Sequence, residues 1–98
     1  MFNNNLAPVI EPFSSIGGTA VRGVVRDKPD FTAPDGVNTS VNFFSKDLEL
    51  DGVYNFYGTS CAAPHAAGVA ALVLQARQKF YSENMLPDSL RSILKSTA

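Results

Sequence analysis

The 98-residue sequence predicts a chain that mixes short strands with two helices, the strands first and the helices last. Three observations carry that expectation. Prolines and paired glycines punctuate the first half and leave only short β-branched runs between them. Alanine and leucine then dominate residues 62–80, and a proline-led stretch with one apolar face closes the chain.

From Asn3 to Ser45, Pro8, Pro12, Gly17-Gly18, Pro29 and Pro34-Asp35-Gly36 break any helical period. Pro34-Asp35-Gly36 is a turn signal, because proline presets φ and glycine tolerates positive φ. Strand candidates are Val21 with Val24 and Val25, then Asp30 to Ala33, then Val37 to Phe44. Aromatic and β-branched residues favour a further extended segment from Val53 to Tyr57. Ala62 to Phe80 is rich in good helix formers, and its first half is apolar on every side. Such a helix is expected to be buried all round, yet few strand residues remain to surround it. Its exposed surface should then favour association. The last helix, Pro87 to Lys95, starts with a proline suited to the first helical position and places Leu90, Ile93 and Leu94 on one face.

Charged residues make up 17% of the chain and the formal net charge is −1, so no basic surplus exists to neutralise phosphates and no nucleic-acid partner is expected. Cys61 is the single cysteine and cannot form an intrachain disulfide. A small buried residue is the expected role, with an oxidation-sensitive thiol as the alternative. No metal-ligand spacing is present, and Asp30, Asp35, Asp47, Glu49 and Asp51 lack the pattern of a calcium-binding EF-hand, so they read as solvated loop charges. Met1 to Asn5 has no cationic patch followed by an apolar run, so these residues are not expected to act as a signal peptide. The apolar stretch from Cys61 to Leu74 is shorter than the roughly 20 residues a membrane span needs, and no membrane partner is expected.

The chemistry concentrates in Gly58-Thr59-Ser60-Cys61-Ala62-Ala63-Pro64-His65. A flexible glycine leads into Ser60 at the start of the helix, where free backbone N–H groups and the positive end of the macrodipole gather. A hydroxyl so placed can attack a carbonyl while the Ser60 N–H supports the developing oxyanion. A helix N-cap is the other role open to a serine there. Pro64 is expected in the first helical turn, where it is tolerated because its missing N–H has no intrahelical acceptor.

Gly58 to Leu72 resembles the nucleophile motif of the subtilisin-like serine peptidases, the subtilase family. Phe13 to Gly17 and Lys28 to Gly36 resemble the family's strand and loop segments before the nucleophile, and Leu90 to Leu94 with Ser96-Thr97 its terminal helix. The resemblance covers the chain from about Phe13 to Ala98. It implies an α/β fold, the C-terminal part of a three-layer domain with a mostly parallel sheet. It also implies peptide-bond hydrolysis through an acyl-serine intermediate on a polypeptide substrate, and a secreted or extracellular setting. By the same resemblance Ser60 is the nucleophile and one oxyanion donor, Thr59 shapes the loop beside it, and Phe56 and Tyr57 lie on the leaving-group side of the cleft. Strand packing is the alternative for those two rings. No cofactor follows from the sequence, although calcium is compatible with a complete family domain.

His65 is the only histidine. Five residues of α-helix amount to about 500°, which turns it roughly 140° away from Ser60 and makes it a scaffold residue rather than the base. The family order of aspartate, histidine, serine then requires both partners, and the rest of the catalytic domain, to come from upstream sequence. The family's second oxyanion donor, an upstream asparagine, has no counterpart either, since Asn3 to Asn5 read as a polar opening tract. The expectation is therefore a catalytic-domain segment that is inactive alone. The alternative is a non-catalytic subtilase-like remnant or binding module.

Overall fold

A computed structural model describes residues 9–98, so the Asn3–Asn5 tract lies outside the described residues. Two short hairpins and two helices form along the chain. β1 (Ala20–Val21) pairs antiparallel with β2 (Val24–Val25), Ala20 opposite Val25 and Val21 opposite Val24. The intervening Arg22 and Gly23 both take positive φ, the geometry that a two-residue hairpin loop requires. β3 (Val37–Thr39) pairs antiparallel with β4 (Tyr54–Phe56), with Asn38 opposite Asn55. α1 runs from Thr59 to Tyr81 and α2 from Pro87 to Thr97.

Several expectations change on contact with these elements. Asp30–Ala33 is not a strand: no neighbouring segment among the described residues offers it a ladder, and it passes instead beside the helices. The strand expected over Val37–Phe44 stops at Thr39, where side chains take over the backbone's hydrogen bonding. The Thr39 hydroxyl accepts from the Val41 N–H at 3.1 Å, and the Asn42 carboxamide oxygen accepts from the Ser45 N–H at 2.6 Å. Both ladders among the described residues are antiparallel, so they do not display the mostly parallel sheet that the family resemblance implies.

α1 begins three residues before the expected start. Pro64 therefore falls in its second turn, and the Ser60 carbonyl loses the amide that would reach it from four residues on. At the other end Ser82 adopts a left-handed conformation, and the N–H groups of Ser82 and Glu83 close back on the carbonyls of Gln78 and Arg77. The helix is not buried all round. Cys61, 1% exposed, is its one buried residue, whereas Val69 and Leu72 are 50% and 66% exposed. Ninety-eight residues supply too few partners, and the radius of gyration of 16.5 Å exceeds the roughly 13 Å of a close-packed chain this long.

Charge rather than deep burial fastens α2. Arg91 donates two hydrogen bonds to the Asp30 carboxylate, at 3.0 and 2.9 Å, and Lys28 donates a third. Lys95 reaches Asp27 at 2.7 Å. Asp30 is thus no solvated loop charge. Arg91, and then Lys28, hold its carboxyl well below the usual carboxylate range, and its side chain is only 12% exposed. Leu90, Ile93 and Leu94 are half-buried, as the shared face predicts.

Candidate functional site

The start of α1 is assembled from three segments that are far apart in sequence. Asn55, 2% exposed, sits in the middle of β4 between two aromatic residues. Its backbone N–H donates to the Lys46 carbonyl at 2.8 Å. Its side-chain oxygen accepts from the Leu48 N–H at 2.9 Å, while its amide donates to Asn38 Oδ1 at 2.9 Å and the Gly36 carbonyl at 3.3 Å. Both ends of the buried carboxamide are thereby satisfied. Asn55 ties β4 to the 46–48 loop and to the turn before β3.

That turn in turn braces the residues leading into α1. Gly36 takes a φ of 69°, and a Cβ built there would stand 2.7 Å from the Tyr57 ring. Gly58 follows with φ 102° and ψ 173°, a conformation open to little but glycine. Its N–H donates to Asp35 Oδ2 at 3.1 Å, and its carbonyl accepts from the N–H groups of Cys61 and Ala62 at 2.9 and 3.2 Å. Gly58 is therefore the N-cap, and Ser60 is the second residue of the helix. The capping role open to Ser60 in the sequence belongs to its neighbour.

Ser60 and Thr59 are exposed. The Ser60 hydroxyl has no hydrogen-bond partner among the described residues, and the first-turn N–H groups of Thr59 and Ser60 have no acceptor among them. A free hydroxyl thus stands beside free amides at the positive end of a 23-residue helix. A cavity of about 520 Å³, lined in part by Val9, Phe13, Pro34, Asp35, Gly58 and Thr59, opens against the same turn, although Ser60 itself does not line it.

The other sequence-predicted residues take distinct places. The Phe56 ring stacks on Phe43, with centroids 4.4 Å apart, and the Tyr57 ring covers Gly36. Neither lines that cavity. Burial, then the negative charges of Glu49, Asp35 and Glu11, pushes the Tyr57 hydroxyl up from its ordinary pKa. His65 turns back into its own helix, where its Nδ1 donates to the Cys61 carbonyl at 3.0 Å. Its ring borders a second cavity, of about 200 Å³, with Val69 and Leu94.

Asp47 and Asp51 also depart from the solvated role expected of them. Asp47 accepts from the N–H groups of Asp51 and Gly52, and Asp51 from the Asn38 amide and the Val53 N–H. Their oxygens hold the turn together. Among the described residues no group of three His, Cys, Asp or Glu side chains could hold a metal ion, and no helix is long and apolar enough to cross a membrane.

Asp35 and Asn55 are the site residues that sequence reasoning missed. Asp35 reads in the sequence as part of a turn and as a solvated loop charge, yet it is half-buried and accepts from the Gly58 N–H across 23 residues. The available signal for Asn55 was a carboxamide flanked by Tyr54 and Phe56, a polar residue in an otherwise apolar strand.

A family model described as the subtilase family matches residues 2–98. Subtilisin-like protease SBT4.12 of Arabidopsis thaliana is 38% identical over 97% of this chain and 13% of its own length. SBT2.2 of the same plant is 35% identical, over 97% and 11%. Subtilisin-like protease Glyma18g48580 of Glycine max is 34% identical over the whole chain and 13% of its own length. The chain thus spans about an eighth of the length of these curated relatives. No solved structure matches.

Proposed function

Because this chain belongs to the subtilase family, we propose that it supplies the nucleophile of a serine peptidase whose remaining catalytic groups lie outside these 98 residues. The observation that carries the reading is Ser60 as the second residue of α1, its hydroxyl and N–H both free. In the proposed reaction Ser60 Oγ attacks the carbonyl carbon of a peptide bond, and its proton passes to a histidine supplied by another segment. The carbonyl oxygen gathers negative charge against the Ser60 N–H, at a helix end that favours it. Collapse of the tetrahedral species releases the amine with that proton and leaves an acyl-Ser60 ester, which water then hydrolyses. Thr59 shapes the wall beside the oxyanion. Phe56 and Tyr57, half-buried, retain surface for the leaving-group side of a bound peptide.

His65 has no place in this proton transfer, since its position five residues along the same helix turns it away from Ser60 and its Nδ1–H folds back onto the Cys61 carbonyl of that helix. The 98-residue chain alone is accordingly inactive in this reading. The exposed apolar surface of α1 is covered by the remainder of a three-layer domain, and the parent peptidase is secreted. A fluorophosphonate probe tests the assignment. The chain joined to the segments bearing the upstream aspartate and histidine becomes labelled at Ser60, and Ser60→Ala abolishes the label. Persistent labelling in Ser60→Ala removes the assignment. Failure of the joined protein to label favours the alternative, a non-catalytic subtilase-like remnant.

A further inference from the structure

We propose that Asp35 is a positioning residue for the nucleophile turn, acting through its hydrogen bond to the Gly58 N–H; this rests on the reading of Ser60 as nucleophile. Asp35 lies 23 residues before Gly58, yet its Oδ2 stands 3.1 Å from that amide and it borders the same cavity as Gly58 and Thr59. Gly58 must hold a conformation with φ 102°, and a residue in so sparsely populated a region persists only when its surroundings over-determine it. Two constraints act from the side of the helix, because the Gly58 carbonyl takes the N–H groups of Cys61 and Ala62. The third comes from Asp35 and fixes the plane of the peptide between Tyr57 and Gly58.

The anchor itself is braced. Gly36, next to Asp35, gives its carbonyl to the Asn55 amide and its open Cα face to the Tyr57 ring. Three contacts, from Asn55, Tyr57 and Gly58, thus register one turn against the chain entering α1. Without the Asp35 acceptor, Gly58 is free to rotate, and the direction of the Ser60 Oγ and N–H relative to a bound carbonyl changes with it. Displacement of about 1 Å at a reacting group can cost on the order of 100-fold in rate.

The test is fluorophosphonate labelling of Ser60 in the protein that contains the upstream aspartate and histidine segments, with Ser60→Ala as the control for the nucleophile assignment. Asp35→Ala lowers the limiting rate constant of labelling by about 10- to 100-fold and leaves the probe concentration for half-saturation unchanged. Asp35→Asn retains an oxygen that accepts from Gly58 and recovers the rate to within about threefold. A merely structural loss reduces the amount of protein that labels without changing the rate constant of the folded fraction. A wild-type rate in Asp35→Ala, or a loss in Asp35→Asn equal to that in Asp35→Ala, overturns the proposal. Hydrogen exchange at the Gly58 amide reads the anchor without activity. Exchange at least tenfold faster in Asp35→Ala supports it, and unchanged exchange overturns it even if Ser60 proves unreactive.

Discussion

Asn55→Ala removes the residue on which the approach to the site turns, and its cost can be worked from the contacts. Three side-chain hydrogen bonds are lost, to the Leu48 N–H, Asn38 Oδ1 and the Gly36 carbonyl. At a net 0.5–1.5 kcal/mol each, the loss is about 1.5–4.5 kcal/mol. Leu48 and Asn38 are exposed, so their orphaned groups regain water, which draws the expected value toward about 2–3 kcal/mol. Urea unfolding measures it as a lowered midpoint at unchanged slope, and amide exchange at Leu48 rises in parallel. Asn55→Asp sharpens the argument. The carboxylate still accepts from Leu48, but at neutral pH it sets its second oxygen against the acceptors Asn38 Oδ1 and Gly36 O. Burial and those acceptors raise its pKa in the folded state, so that the variant gains stability as pH falls and a proton restores one donor. A loss below about 0.5 kcal/mol in Asn55→Ala, or an Asn55→Asp variant that loses stability as the medium is acidified at a rate equal to wild type, refutes the network as described.

Gly58→Ala is expected to cost about 1–3 kcal/mol from backbone conformation alone. The added Cβ meets nothing nearer than the Ser60 nitrogen at 3.9 Å, so a urea-midpoint shift of that size isolates the strain. The ion cluster that holds α2 gives a pH dependence of definite sign. Asp27 and Asp30 have carboxyls held below their ordinary values by Lys95 and by Arg91 with Lys28, respectively. Their stabilisation is whole above the unfolded carboxyl pKa near 4 and is lost as pH falls through the lower folded values. Melting temperatures of wild type and Arg91→Ala should therefore differ at pH 7 and converge in acid, and added salt should narrow the gap at pH 7 because the pairs face solvent.

The sequence made legible those features that depend on neighbours a few residues away. The Val21 and Val24-Val25 segments, the proline start of α2 and the burial of Cys61 all follow from local patterning, and the structure has each of them. What it obscured depends on partners distant along the chain. Asp30–Ala33 has strand composition but lacks a ladder among the described residues, and Asp30 looks like an ordinary surface acid until Arg91 arrives 61 residues later. The α1 start was misplaced for a related reason. Alanine content marks where a helix is comfortable, whereas its first residue is set by where hydrogen bonding around Gly58 begins, and that depends in part on Asp35.

The same distinction bears on Ser60. Its motif is local and was readable at once, but a serine at a helix start has two roles, and composition cannot separate them. Gly58 as the N-cap takes the capping role from Ser60 and leaves its hydroxyl without the bond that a capping side chain would make, which agrees with the proposed nucleophile. Capping with a glycine forgoes the side-chain acceptor that serine would have supplied to the first-turn amides. The cost of that exchange is only about a few tenths of a kcal/mol, because the exposed amides of Thr59 and Ser60 reach water. What it leaves at the head of α1 is two exposed amides and a hydroxyl with no partner among the described residues, and the proposed chemistry at Ser60 requires an incoming carbonyl oxygen to take up that arrangement.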